Sequence, residues 1–252
     1  MKAIPFATLF MAGALLMAGP KWSIQQVTAQ TMPQDSSVHR RPVVLVPGWA
    51  GRSRHLNALK ERFLRDGWVP AEVMDLEFTD PVGSSRDHAT ELEEALRALT
   101  ERTGVREADI VAHSMGGLAL WLLLQDRRGE VPVRRVVFLG SPLQGTLTAY
   151  LAWGEGGEEM RPGSPFLRAL AEGPPPQEWV EALTIRTPLD LNVVPGSGGT
   201  LPGLWDVMVC CPTHQGLMDD EGTYRIAREF LLFGTRSAQS ILEEGSGISG
   251  RK

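Results

Sequence analysis

The chain has 252 residues, 42% hydrophobic and 22% charged, which suits one α/β domain with a good-sized core and excludes a disordered polymer. A net charge of −5 leaves no basic footprint for nucleic acid. The only cysteines, Cys210 and Cys211, are adjacent, so no multi-bridge disulfide framework can form.

In chain order, Met1-Lys2 precedes an apolar stretch from Ala3 to Ala18, followed by polar residues and a small-residue site ending at Ala29. This pattern predicts a signal peptide over 1–29 and a secreted or periplasmic protein. The stretch is short for a retained membrane span and is interrupted by Pro5, Gly13 and Gly19. Residues 30–41 read as an extended polar segment. Arg41 to Val46 reads as a buried strand with Pro42 at its start, running into the turn-forming cluster Pro47-Gly48-Trp49-Ala50-Gly51. Ser53 is placed to cap a helix that runs to Asp66, and Gly67 closes it. Val69 to Phe78 suggests a second strand and Pro81 to Asp87 a loop, with His88 at the surface. Leu92, Ala95, Leu96 and Leu99 carry helical spacing over Thr90 to Thr103.

Next comes Ala112-His113-Ser114-Met115-Gly116-Gly117, between the short apolar run Ala108 to Val111 and the uninterrupted run Leu118 to Leu124. A serine with small residues two before and two after it, between a strand and a helix, has the pattern of a nucleophile elbow. The small flanks are needed because the turn brings backbones too close for side chains. A helix opening beyond the serine also aims free N–H groups at a developing oxyanion. The plainer alternative is a glycine-rich strand–helix turn with an idle serine. His113 is expected to be buried and hydrogen-bonded; His39 and His55 are taken as surface residues.

Arg135 to Gly140 is a further buried strand. Residues 143–178 then break the regular alternation with many glycines and prolines among apolar residues, which predicts a cap. Leu143, Leu147, Tyr150, Leu151, Trp153 and Phe166 are its candidate substrate contacts, and its glycines are expected to act as hinges. Leu183 to Arg186 and Asp206 to Val209 resume as strands, a helix covers Tyr224 to Phe233, and 235–252 reads as a flexible tail. Strands alternating with helices at this spacing imply a mostly parallel sheet of about six strands with helices on both faces.

A serine hydroxyl needs a base to take its proton at neutral pH. Elbow serines are followed in chain order by an acid and then a histidine. His214 is the only histidine after Ser114, in a loop just past the last strand. Asp190, Asp206, Asp219 and Asp220 compete as the acid; Asp190 is preferred because it follows a strand end on the rim where His214 emerges. Met115 and Trp49 would supply the two oxyanion N–H groups. For Cys210 and Cys211 the sequence favours two buried thiols over a vicinal disulfide.

The runs Val43-Val44-Leu45-Val46-Pro47-Gly48-Trp49, Ala112 to Gly117 and Phe138-Leu139-Gly140-Ser141-Pro142-Leu143-Gln144-Gly145-Thr146, with the Asp190 and His214 contexts, resemble lipase class 2. The Ala-x-Ser-x-Gly elbow is similar to that of Bacillus-type minimal lipases. Arg161 to Leu167 resembles larger relatives that include remodelling esterases acting on lipid-anchored substrates. The resemblance implies an α/β-hydrolase fold over 42–234, lacking the first strands of the large members and carrying the cap insertion. It implies a serine esterase or lipase with Ser114, Asp190 and His214 as triad, no metal or other cofactor, and an ester or lipid substrate. Contact with a lipid interface is compatible with it, and no obligate protein partner is expected. The chain departs from the pattern with Pro47-Gly48 where His-Gly is common, and with a 143–178 segment longer than in minimal lipases. An acyltransferase or remodelling esterase on the same triad, and a non-catalytic scaffold, are the alternatives.

Overall fold

A computed structural model describes residues 40–127, 130–235 and 249–251. The expected leader, nearly all of segment 30–41 with His39, and most of the tail lie outside the described residues. Strand β1 (Val43–Val46) is followed by a 3₁₀ turn (Ser53–Leu56) and helix α1 (Asn57–Arg65). Strand β2 (Val73–Asp75) is shorter than its apolar run, because Pro70 opens a 3₁₀ turn over Pro70–Glu72. Helix α2 (Ser85–Thr103) starts earlier than periodicity indicates: the Ser84 hydroxyl accepts the Asp87 N–H at 3.2 Å. His88 is therefore helical rather than at the surface. It is fully buried, stacked on Phe78 at 3.8 Å, with Nε2 2.7 Å from the Asp80 carbonyl.

Strand β3 (Ala108–His113) leads through the elbow into α3 (Gly116–Asp126), which is buried along nearly its whole length. After β4 (Val133–Leu139), the 143–178 segment holds a 3₁₀ turn (Leu147–Leu151), α4 (Gly154–Glu159), α5 (Pro165–Glu172) and another turn at Pro176–Glu178. Ser164 caps α5 by accepting the Leu167 N–H at 3.1 Å, with Pro165 as the first helical residue. Then follow β5 (Glu181–Arg186), β6 (Trp205–Met208), α6 (Gly216–Asp219) and α7 (Glu221–Phe233).

The sheet order is β2-β1-β3-β4-β5-β6, all parallel, with β7 (Ser249–Arg251) pairing antiparallel to β6. Alternation sends Val44 and Val46 into the core beneath α2, α3 and the cap, and Val43 and Leu45 into the core beneath α1 and α7. Strand β1 connects outward to β2 while β3 connects the opposite way to β4, so the sheet changes direction between β1 and β3. Loops leaving two such strands part from each other and open a crevice at the strands' C-terminal ends.

Candidate active site

Ser114 stands at that crevice. It is one of two non-glycine residues with positive φ among those described, at +53°, a backbone conformation that costs free energy and is typical of a side chain thrust out of a sharp turn. Neighbouring glycines make room for it. A Cβ on Gly48 would sit 2.7 Å from Ser114 Cβ, and one on Gly117 would run into the Ser141 side chain. The Val46–Ala112 register brings the β1 loop against the elbow in this way.

Asp190 and His214 meet although 24 residues apart, with His214 Nδ1 2.8 Å from Asp190 Oδ2. Their loops are tied on both sides of the pair. Leu189 and Thr213 form a parallel bridge, and the Thr187 hydroxyl donates to the Pro212 carbonyl at 2.6 Å. Asp190 Oδ1 accepts the Asn192 and Val193 N–H groups, each at 2.8 Å. Burial pushes the Asp190 carboxyl up, but the His214 contact and these two amides outweigh it and hold it below the ordinary carboxylate range. An ionised carboxylate only accepts, so Nδ1 carries a proton and Nε2 faces away from Asp190. No hydrogen bond joins Nε2 to Ser114 Oγ; both residues line the same pocket of about 550 Å³. Such bonds are often long before substrate arrives.

The competing acids are otherwise engaged. Asp206 is gripped by the Arg186 guanidinium and also accepts from the Thr184 hydroxyl at 2.7 Å. Asp220 caps α7 by accepting the Thr223 N–H at 2.7 Å, and Asp219 is exposed.

Trp49 and Met115 flank Ser114 in the turns after β1 and β3. Among the described residues, neither backbone N–H is taken by another hydrogen bond. His113 is buried against His214 with ring centroids 4.6 Å apart, and its Nε2 is 3.3 Å from the His214 carbonyl. Desolvation, reinforced by His214, pushes its pKa down to about 3, so it is neutral and donates from Nε2.

The six candidate cap contacts separate. Leu151 and Trp153 line the pocket. Leu143 is buried and faces a second apolar pocket with Trp121 and Leu167. Phe166 packs on the core, while Leu147 and Tyr150 are exposed outside the pocket. Met160 and Leu191 line it too, as does His55, which the sequence places at the surface. Only their position in space identifies them, since none lies in a recognisable motif. Cys210 and Cys211 are exposed, a correction to the expected buried pair. Their flanking loop is pulled to the surface between Val209, which pairs with Arg186, and the Pro212 carbonyl.

The mature Bacillus licheniformis lipase BlEst2 is similar in structure, with a TM-score of 0.65 at 17% identity over 77% of this chain and 93% of that one. Aspergillus fumigatus lipase B gives 0.67 at 18%, over 80% of this chain but 56% of its own. The phospholipase PlaB from Legionella pneumophila gives 0.64 at 13%, over 80% and 61%. At such identities the likeness concerns the fold. The model of the alpha/beta hydrolase family matches residues 43–235, strand β1 through the end of α7, and the chain belongs to that family.

Proposed function

We propose that this hydrolase cleaves carboxylic esters through an acyl-enzyme, with Ser114 as nucleophile, His214 as base and Asp190 as its orienting acid. The observation that carries the reading is the buried Asp190–His214 hydrogen bond beside a serine at positive φ on one pocket wall. Ser114 Oγ attacks the ester carbonyl while His214 Nε2 takes its proton. The Trp49 and Met115 N–H groups hold the oxyanion, and His214 returns the proton to the departing alkoxide. Water, activated by His214, then releases the acid and restores Ser114.

A lipid-like ester fits the pocket mouth. Leu147, Tyr150, Leu151, Trp153, Leu189 and Leu191 are each at least half exposed, and they stand on the two segments flanking it. Export through the 1–29 leader is part of the same proposal. The test is hydrolysis of p-nitrophenyl esters from acetate to palmitate, with fluorophosphonate labelling of wild type and Ser114→Ala. Activity and labelling in wild type alone are expected; neither in wild type would sink the reading.

A further inference from the structure

The pocket wall contributed by the cap does more than face the solvent opening. The Trp49 indole N–H donates to the Trp153 carbonyl at 3.0 Å, and the two rings meet edge to face with centroids 4.4 Å apart. Three residues further on, Gly156 is buried against the other proposed oxyanion donor. A Cβ there would lie 2.5 Å from Met115 Sδ and 2.7 Å from the Gly83 carbonyl oxygen. The same short stretch of the cap therefore touches the side chains of both residues whose amides flank Ser114.

Both partners are also fastened to one platform, the 81–85 turn that opens α2. The Ala50 N–H, next to Trp49, donates to the Pro81 carbonyl at 2.8 Å, and Ala50 is the other non-glycine residue held at positive φ, +52°. From the cap side, the Gly156 N–H donates to the Val82 carbonyl at 3.1 Å, and Glu159 Oε2 accepts the Ser85 N–H at 2.7 Å. A strained loop keeps its conformation only where its surroundings over-determine it. Here the surroundings are the platform below and the cap above.

We propose that the Trp153–Glu159 segment of the cap is a positioning element for the oxyanion hole, holding the Trp49 loop through the Trp153 carbonyl and seating Met115 beneath Gly156. This rests on the ester-hydrolase reading above. Glycine at 156 then serves contact, because any side chain would push α4 away from Met115. A cap that only walls the acyl chain would set substrate affinity. A cap that sets the amides acts on the charge that develops after binding, so it sets kcat.

The test uses the full chain and a dissolved butyrate ester, whose acyl group is too short to need the cap as a wall. Trp49→Phe keeps a ring but deletes the tethering N–H. Gly156→Ala forces a methyl onto Met115, and Glu159→Ala frees the cap from Ser85 without reaching the pocket. Expected is a fall in kcat of roughly 10- to 100-fold in Trp49→Phe and Gly156→Ala and a smaller one in Glu159→Ala. KM should stay within about twofold, and an alkyl boronic acid, whose tetrahedral serine adduct places an oxygen in the hole, should weaken in step with kcat. Circular dichroism and melting identify variants that keep the fold, and any one cap variant that does so suffices beside Trp49→Phe. Folded cap variants with wild-type kcat, or with KM alone changed, overturn the positioning role. Wild-type protein lacking both ester hydrolysis and fluorophosphonate labelling would instead remove the hydrolase reading on which it stands.

Discussion

At Ser114 the backbone is strained and Gly48 lies close to its Cβ, and the proposed chemistry places the Trp49 and Met115 amides at the oxyanion its hydroxyl would generate. Removing that hydroxyl should abolish ester hydrolysis in Ser114→Ala and leave the melting temperature nearly unchanged. Asp190→Asn should cost on the order of 10⁴ in kcat, since an amide facing Nδ1 no longer fixes the tautomer. Asp206→Asn should lower the melting temperature by stranding Arg186, with activity retained within about tenfold. Parallel rate and melting measurements on the two variants separate these roles; the reverse pattern would reassign the acid. The depressed pKa of Asp190 adds a stability signature. Its contribution is present above the unfolded-state value and is lost as pH falls through the lower folded value. The melting-temperature gap between wild type and Asp190→Asn should accordingly close at acid pH. Much of this was legible in the sequence, because a serine between two glycine-bearing turns and a lone downstream histidine leave few choices. His88 was not. A histidine in a polar run looks solvated, and only the stack on Phe78 and the bond to the Asp80 carbonyl account for its burial.

Among the elements, β1, β3, β4 and α3 were visible as apolar runs because buried parallel strands and core helices tolerate little else. The start of α2 was missed because a serine cap and a polar first turn carry no hydrophobic period. The 143–178 segment stands out in the sequence as a break in the pattern, and its glycines suggest hinges. The structure gives Gly154 and Gly156 a different reason: both press on the 82–83 turn, where a side chain would not fit. The cap's two aromatic candidates, equivalent on paper, separate by position. Trp153→Ala should reduce kcat/KM for palmitate esters roughly 10- to 100-fold while acetate and butyrate fall less. Phe166→Ala should instead lower stability by about 1–3 kcal/mol, with the chain-length profile preserved, since Phe166 packs on the core. A chain-length series with denaturant melts on both variants checks the pair; matching profiles would remove Trp153 from the acyl site.

For the whole molecule, the C-terminal edge of the sheet holds the pocket and the opposite edge holds a buried charge cluster. Asp109 accepts the Arg135 N–H at 3.2 Å, while Arg135 reaches the Leu231 carbonyl at 2.9 Å and Glu181 at 3.1 Å, tying β3 and β4 to the end of α7. Burial drives the Asp109 carboxyl up to about 7 against the pull of Arg41, Arg135 and Arg134. The unfolded chain gives up this proton near pH 4 and the native protein only near 7. Stability should therefore decline across that interval and level off above it. Asp109→Asn should remove that slope from a series of melts, and an unchanged slope would show that Asp109 is ionised in the fold. At the pocket edge, the exposed Leu151 and Leu191 should matter most on aggregated substrate. Leu151→Ser with Leu191→Ser should reduce hydrolysis of an emulsified ester about tenfold or more, and that of a dissolved ester less, with little effect of salt. Equal losses on both substrates would deny the mouth a role at an interface. Ser114 follows Asp109 by five positions along β3 and its end, a rise of roughly 16 Å. Free-energy changes that far apart, with no shared partner, usually sum. A laboratory could therefore harden the lower edge against heat and remodel the mouth for a new ester in separate campaigns, then join the winning mutations without searching their combinations again.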